Sequence, residues 1–178
     1  MLIPDEFVDR SVRRGLLGCP VCHREYHIVD GVVNFGGEIA LSPRRSAASE
    51  PVGAEAISAF LGLGGPGGYV LLVGEASMDA DSLAALLPGI HLVALNPPGR
   101  TIDASNLSVL RSDRVPIKSR SMRGVVLGAD VAADPSWQAA AAGMVLPGLR
   151  VVGNGPEPVI PELDLLASAG GWWVGRRK

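Results

Sequence analysis

The chain has 178 residues, with 16 Lys and Arg against 18 Asp and Glu, a formal net charge of −2. That balance excludes a nucleic-acid binder working mainly by phosphate neutralisation, and 47% apolar residues exclude wholesale disorder. Two cysteines exclude a disulfide scaffold, and the length fits one globular domain with a small appendage.

The N-terminal Met1-Leu2-Ile3-Pro4-Asp5-Glu6 turns acidic before an apolar run builds up, and no later run is long enough to cross a bilayer. Neither signal peptide nor membrane span is expected, and the setting expected is reducing and cytoplasmic. Residues 1–40 hold both cysteines, Cys19 and Cys22, whose Cys-x-x-Cys spacing points to metal or redox chemistry. Residues 41–53 are small, polar and proline-interrupted, and read as a linker. From residue 54 to 178 short apolar runs alternate with small-residue stretches.

A helix is predicted over Ala54–Leu63, ended by Gly64-Gly65-Pro66. Strands are predicted at Tyr69–Gly74, His91–Asn96, Leu107–Arg111, Gly124–Ala129 and Leu149–Gly153, mostly continuous apolar runs suited to burial on both sheet faces. Between them, Ser77–Leu87 opens with a capping Ser and early aspartates, and Asp134–Met144 with Asp-Pro. A third helix is predicted at Pro161–Ala169, and one closing strand at Gly171–Gly175. This rhythm implies right-handed crossovers and a Rossmann-like, doubly wound, mostly parallel α/β sheet. With a single closing strand the sheet is expected to stop short, leaving an edge for another chain to cover. Alternation there turns one of Trp172 and Trp173 outward as an interface anchor, unless it packs under the N-terminal segment.

The segment Gly18-Cys19-Pro20-Val21-Cys22-His23-Arg24-Glu25-Tyr26-His27-Ile28-Val29-Asp30-Gly31 resembles the second half of the small zinc-ribbon module that partners RNA and protein methyltransferases. Tyr26, Ile28, Asp30 and Gly31 fall in register, and His27 stands where that family has Pro. The resemblance implies an upstream Cys pair completing a four-thiolate zinc site, but Ile3 and Glu6 stand in those places. Three readings stay open. One is a metal-free remnant, its hairpin held by Tyr26, Ile28, Val32 and Phe35. Another is a zinc site at Cys19 and Cys22 completed by His23 or His27, or by two chains pooling their pairs. The last is a redox disulfide, for which no helix N-terminus stabilises the thiolate.

The main domain resembles class I S-adenosylmethionine-dependent methyltransferases. Val70–Asp79 is similar to that family's glycine-rich loop, His91–Pro97 to its second strand, and Leu110–Ile117 to the segment whose Asp faces adenine. Gly124–Ala129 is similar to its fourth strand, and Met144–Val152 to its "Leu-Lys-Pro-Gly-Gly-Arg-Leu-Val-Val" stretch. The resemblance implies cofactor contacts from Gly74, Glu75, Asn96 and Asp113. It departs where the chemistry lies: Ala76 and Met78 replace two loop glycines, and Asn96 replaces the acid that receives the ribose hydroxyls. Asp79 and Asp81 crowd the following helix start.

No nucleophile motif is present, and Gly64-Gly65-Pro66-Gly67-Gly68 lacks the Lys of a P-loop. His91 reads as structural, Glu162 and Asp164 as helix-dipole partners, and Arg176-Arg177-Lys178 as a solubilising end; Asn154 and Glu157 are candidates to line a pocket beyond the fifth strand. No catalytic residue is assigned. The expected function is a methyltransferase-like protein with an eroded cofactor loop, a non-catalytic binding or scaffolding partner that is homodimeric or stands beside an active relative. The alternative is an active, divergent S-adenosylmethionine-dependent methyltransferase. Nucleic acid and membrane are not expected as partners.

Overall fold

The computed structural model describes residues 1–8, 11–36, 52–99 and 105–178, so most of the 41–53 linker lies outside the described residues. The strands are β1 (Leu2–Val8), β2 (Ser11–Gly18), β3 (Glu25–Val29), β4 (Val32–Asn34), β5 (Tyr69–Val73), β6 (His91–Leu95), β7 (Leu107–Arg111), β8 (Met122–Leu127), β9 (Val145–Asn154), β10 (Leu163–Ala169) and β11 (Trp172–Arg177). The helices are α1 (Ala54–Leu61), α2 (Ala80–Leu86) and α3 (Pro135–Met144). Among the described residues the strands form one sheet, ordered β1-β2-β3-β4-β7-β6-β5-β8-β9-β11-β10. From β4 through β9 neighbours are parallel, while the N-terminal strands and the β9-β11-β10 end are antiparallel. After the N-terminal strands the chain enters the middle of the sheet at β5, runs to one side through β6 and β7 and then crosses to the other at β8, the signature of a doubly wound fold.

Burial follows the pleat. Val70, Leu72, Leu92, Val126 and Val152 face one core with Ile57 and Leu61 of α1 and Leu83 of α2. Leu71, Val73, Leu95, Leu127 and Val151 face a second core with Ala141, Ala142 and Met144 of α3. The Asp134-Pro135 start of α3 forms as predicted: Asp134 accepts a hydrogen bond from the Ser136 amide at 2.8 Å, and Pro135 takes the first helical position. The Ser136 hydroxyl, and then its amide, hold the Asp134 carboxyl below its usual pKa. Between β7 and β8 no helix forms, and Val115 and Ile117 pack against the second core from the loop.

The C-terminal end corrects two expectations. Pro161–Ala169 is not a helix: Leu163–Ala169 is the edge strand β10, antiparallel to β11 through a turn at Gly170-Gly171. Both turn glycines have left-handed φ, 59° and 79°, the geometry a tight hairpin demands. The sheet therefore ends in a strand pair rather than stopping short.

Neither Trp is exposed. Trp172 faces the α1–α2 core and Trp173, fully buried, the α3 core. The sheet's alternation does turn them apart, but both faces are covered there, and the N-terminal strands lie at the opposite end. Trp173 is seated on Gly153, its cross-strand partner, where an added Cβ would come within 2.3 Å of the indole.

The N-terminal strands extend the same sheet, with β4 pairing in parallel with β7. Ile28 is buried and the Tyr26 and Phe35 rings meet at 4.9 Å, as expected for the hairpin. Much of this wing is open, with Leu2, Phe7 and Val29 exposed.

Candidate functional site

Open α/β sheets bind ligands beyond the carboxyl ends of their strands, where the strand order reverses. Here that point lies between β5 and β8. After β5 the chain turns through Gly74 at φ 61° into a 3₁₀ turn over Gly74–Asp79, pinned by the Ser77 hydroxyl donating to the Gly74 carbonyl. After β8 it turns through Gly128 to Asp130, whose Oδ1 accepts a hydrogen bond from the Glu75 amide at 3.0 Å. A Cβ on Gly74 would lie 2.2 Å from Asp130 Oδ2, and one on Gly128 would lie 2.7 Å from both Asp130 Oδ1 and the Glu75 nitrogen. The loop glycine thus admits a carboxylate from the chain itself. Burial pushes the Asp130 carboxyl above the usual Asp range, opposed by the amides of Glu75, Asp130 and Val131.

Asn96 follows β6 and is buried, at 2% exposure, with left-handed φ of 54°. Its Nδ2 donates to the Ser112 carbonyl at 2.8 Å, and its Oδ1 accepts from the Ser112 amide at 2.9 Å. Both functional atoms of the amide therefore tie the end of β6 to the residue after β7. An Asn satisfies that pair, offering one donor and one acceptor, and it tolerates positive φ better than most residues.

The remaining predicted positions are scattered around this closed centre. Glu75 is half-buried, and Asp113 is exposed beyond Ser112. Ala76 is buried in the α1–α2 core while Met78 points outward, 53% exposed. Burial also pushes up the Asp79 carboxyl at the start of α2. The structure thus brings Gly74 and the Glu75 amide together with Asp130, and Asn96 with Ser112. Asp130 and Ser112 were missed in the sequence. The Gly128-Ala129-Asp130 run after the fourth strand was the available signal for the first.

The space beside the Gly74 Cα is thus taken by the Asp130 carboxylate, and both polar atoms of the Asn96 amide are already bonded to Ser112. The donor set for zinc is short. Cys19 and Cys22 are free thiols, and among the described residues no group of three His, Cys, Asp or Glu forms that could hold a metal ion. Neither His23 nor His27 completes such a group, so a His-completed site is not formed, and two donors do not fill a tetrahedral centre. The Cys19 turn is nonetheless ordered: its carbonyl accepts from the His23 amide at 3.0 Å, with His23 at φ 55°. The Cys22 and Val21 amides lower the Cys19 thiol pKa.

The glycine-rich run before β5 holds a cation. Arg123 donates to the carbonyls of Gly64, Gly65, Pro66 and Gly67 at 2.5–3.1 Å. His91 Nε2 lies 2.8 Å from the Ser108 hydroxyl, and burial lowers its pKa. Asn154 lies opposite Trp172, with its Oδ1 and the Trp172 Nε1 both buried and without a hydrogen-bond partner. Glu157 is exposed.

No family model and no curated protein matches the chain. Solved structures do. One is a putative methyltransferase from an antibiotic biosynthesis pathway of Anabaena variabilis (14% identity, 56% of this chain and 43% of that one, TM-score 0.47). A second is a geranyl diphosphate methyltransferase in complex with GPP and sinefungin (14% identity, 56% and 43%, TM-score 0.48). A third is a putative methyltransferase in complex with the Trm112 methyltransferase activator of Haloferax volcanii (22% identity, 58% and 53%, TM-score 0.47). The chain spans about half the length of these structures or less. By its own strand order and its closing antiparallel pair, the chain has a methyltransferase-like Rossmann fold.

Proposed function

We propose that this chain is a non-catalytic binding or scaffolding domain on a methyltransferase-like fold. The observation that carries this is the Asp130 carboxylate lodged over Gly74 at the sheet's switch point. S-adenosylmethionine lodged at this loop would have to displace that carboxylate. Its ribose would have to break the Asn96–Ser112 pair, at about 1–3 kcal/mol for the polar groups left unpaired. An active enzyme requires both side chains to leave their places. Thermal denaturation with millimolar S-adenosylmethionine or S-adenosylhomocysteine is expected to show no shift in midpoint. A rise of several degrees overturns the proposal.

On the same reasoning Cys19 and Cys22 are the remnant of a larger donor set. Zinc well below one ion per two chains is expected after purification. One zinc per two chains would instead support pooling of the pairs between two copies.

A further inference from the structure

We infer that the free edge of β10 is a self-pairing surface on which a second copy of this chain docks, antiparallel, about a twofold axis. The inference is independent of how the cofactor end of the sheet is read.

The two edges of the sheet are built differently. At one end β1 carries Pro4, which has no amide to donate, the adjacent acids Asp5 and Glu6, and register shifts on both sides of Glu6. These are the devices that stop an edge strand from recruiting another. Self-pairing of β1 would also set Asp5 and Glu6 close to the same acids of the second copy.

At the other end β10 reads Leu-Asp-Leu-Leu-Ala-Ser-Ala and, among the described residues, pairs with β11 alone. It has no proline and no lysine, and of the devices seen in β1 it keeps one, a single register shift at Leu166 in its pairing with β11, against two in β1. Residues Leu165–Ala169 are all exposed, including two leucines at 45% and 43%. Its single charge, Asp164, is balanced from the β11 side by Lys178 at 3.6 Å and Arg176 at 3.9 Å. An antiparallel twofold centred on Leu166 sets Asp164 against the second copy's Ser168 and Leu165 against its Ala167, so no like charges meet. Main-chain hydrogen bonds supply the affinity, and the apolar side chains flanking the seam add burial.

The asymmetry also sets the size of the assembly. Once β10 is paired with its copy, both ends of the doubled sheet are β1 edges, which resist further addition. Association therefore closes at a dimer and does not run on into a fibre.

Sedimentation velocity on the full chain over a concentration series tests this. A monomer–dimer equilibrium is expected, weakened at least about tenfold by like charges brought together through Leu166→Lys, on the twofold axis, or through Ser168→Glu, opposite the second copy's Asp164. Phe7→Lys on β1 should leave the equilibrium unchanged, and far-UV circular dichroism checks that each variant is folded. Amide exchange at Leu165–Ala169 should slow as concentration rises. A monomer at every concentration overturns the proposal. So does a dimer indifferent to both β10 variants, or one broken by Phe7→Lys.

Discussion

Gly74 and Asp130, one after β5 and the other after β8, are fitted to each other: a Cβ on Gly74 would lie 2.2 Å from Asp130 Oδ2. Gly74→Ala must displace the carboxylate and also hold alanine at φ 61°. A loss of about 1–3 kcal/mol in denaturant-unfolding stability is expected. In an Asp130→Ala background the same substitution should cost less, with a coupling above about 0.5 kcal/mol. Additive losses would show that the two residues do not share this space.

Asn96→Asp introduces the acid that the resemblance to methyltransferases implies at this position, yet it should harm the protein. The new carboxylate cannot donate to the Ser112 carbonyl and sets an acceptor against it in a buried position. A loss of about 2–4 kcal/mol at neutral pH is expected, measured by urea unfolding and accompanied by no gain in S-adenosylhomocysteine affinity.

Gly153→Ala tests the seating of Trp173, since its Cβ would come within 2.3 Å of the indole. Destabilisation of about 1–3 kcal/mol with a changed near-ultraviolet Trp signal is expected. An unchanged signal would mean that the indole packs elsewhere.

His91 gives a pH signature. Burial lowers its folded-state pKa below the ordinary 6.5. Its contribution to stability is therefore present above that value and lost as pH falls through the depressed pKa. His91→Gln keeps a partner for Ser108 but does not titrate. Stability relative to His91→Gln should be level above pH about 6.5 and fall below it.

The centre of the fold is legible in the sequence because parallel strands buried on both faces write themselves as unbroken apolar runs, as in Tyr69–Val73 and His91–Leu95. The start of α3 is legible because Asp134-Pro135 is a local cap. The edge strand β10 is not: its exposed positions carry no alternation, and Pro161-Glu162 followed by leucines and alanines imitates a helix start. At the site, Gly74 and Asn96 are placed by motif order, but their partners are not. The Glu75–Asp130 hydrogen bond spans 55 positions of sequence and exists only once β5 and β8 lie side by side.

The most direct measurement is a calorimetric titration of the intact protein with S-adenosylhomocysteine, run beside the Asp130→Ala variant. Under the proposal, no heat beyond dilution is expected for the intact protein up to millimolar ligand, since Asp130 lies against Gly74 and the Asn96 amide is bonded to Ser112. Saturable micromolar binding to the unaltered chain would contradict this and establish a working cofactor site.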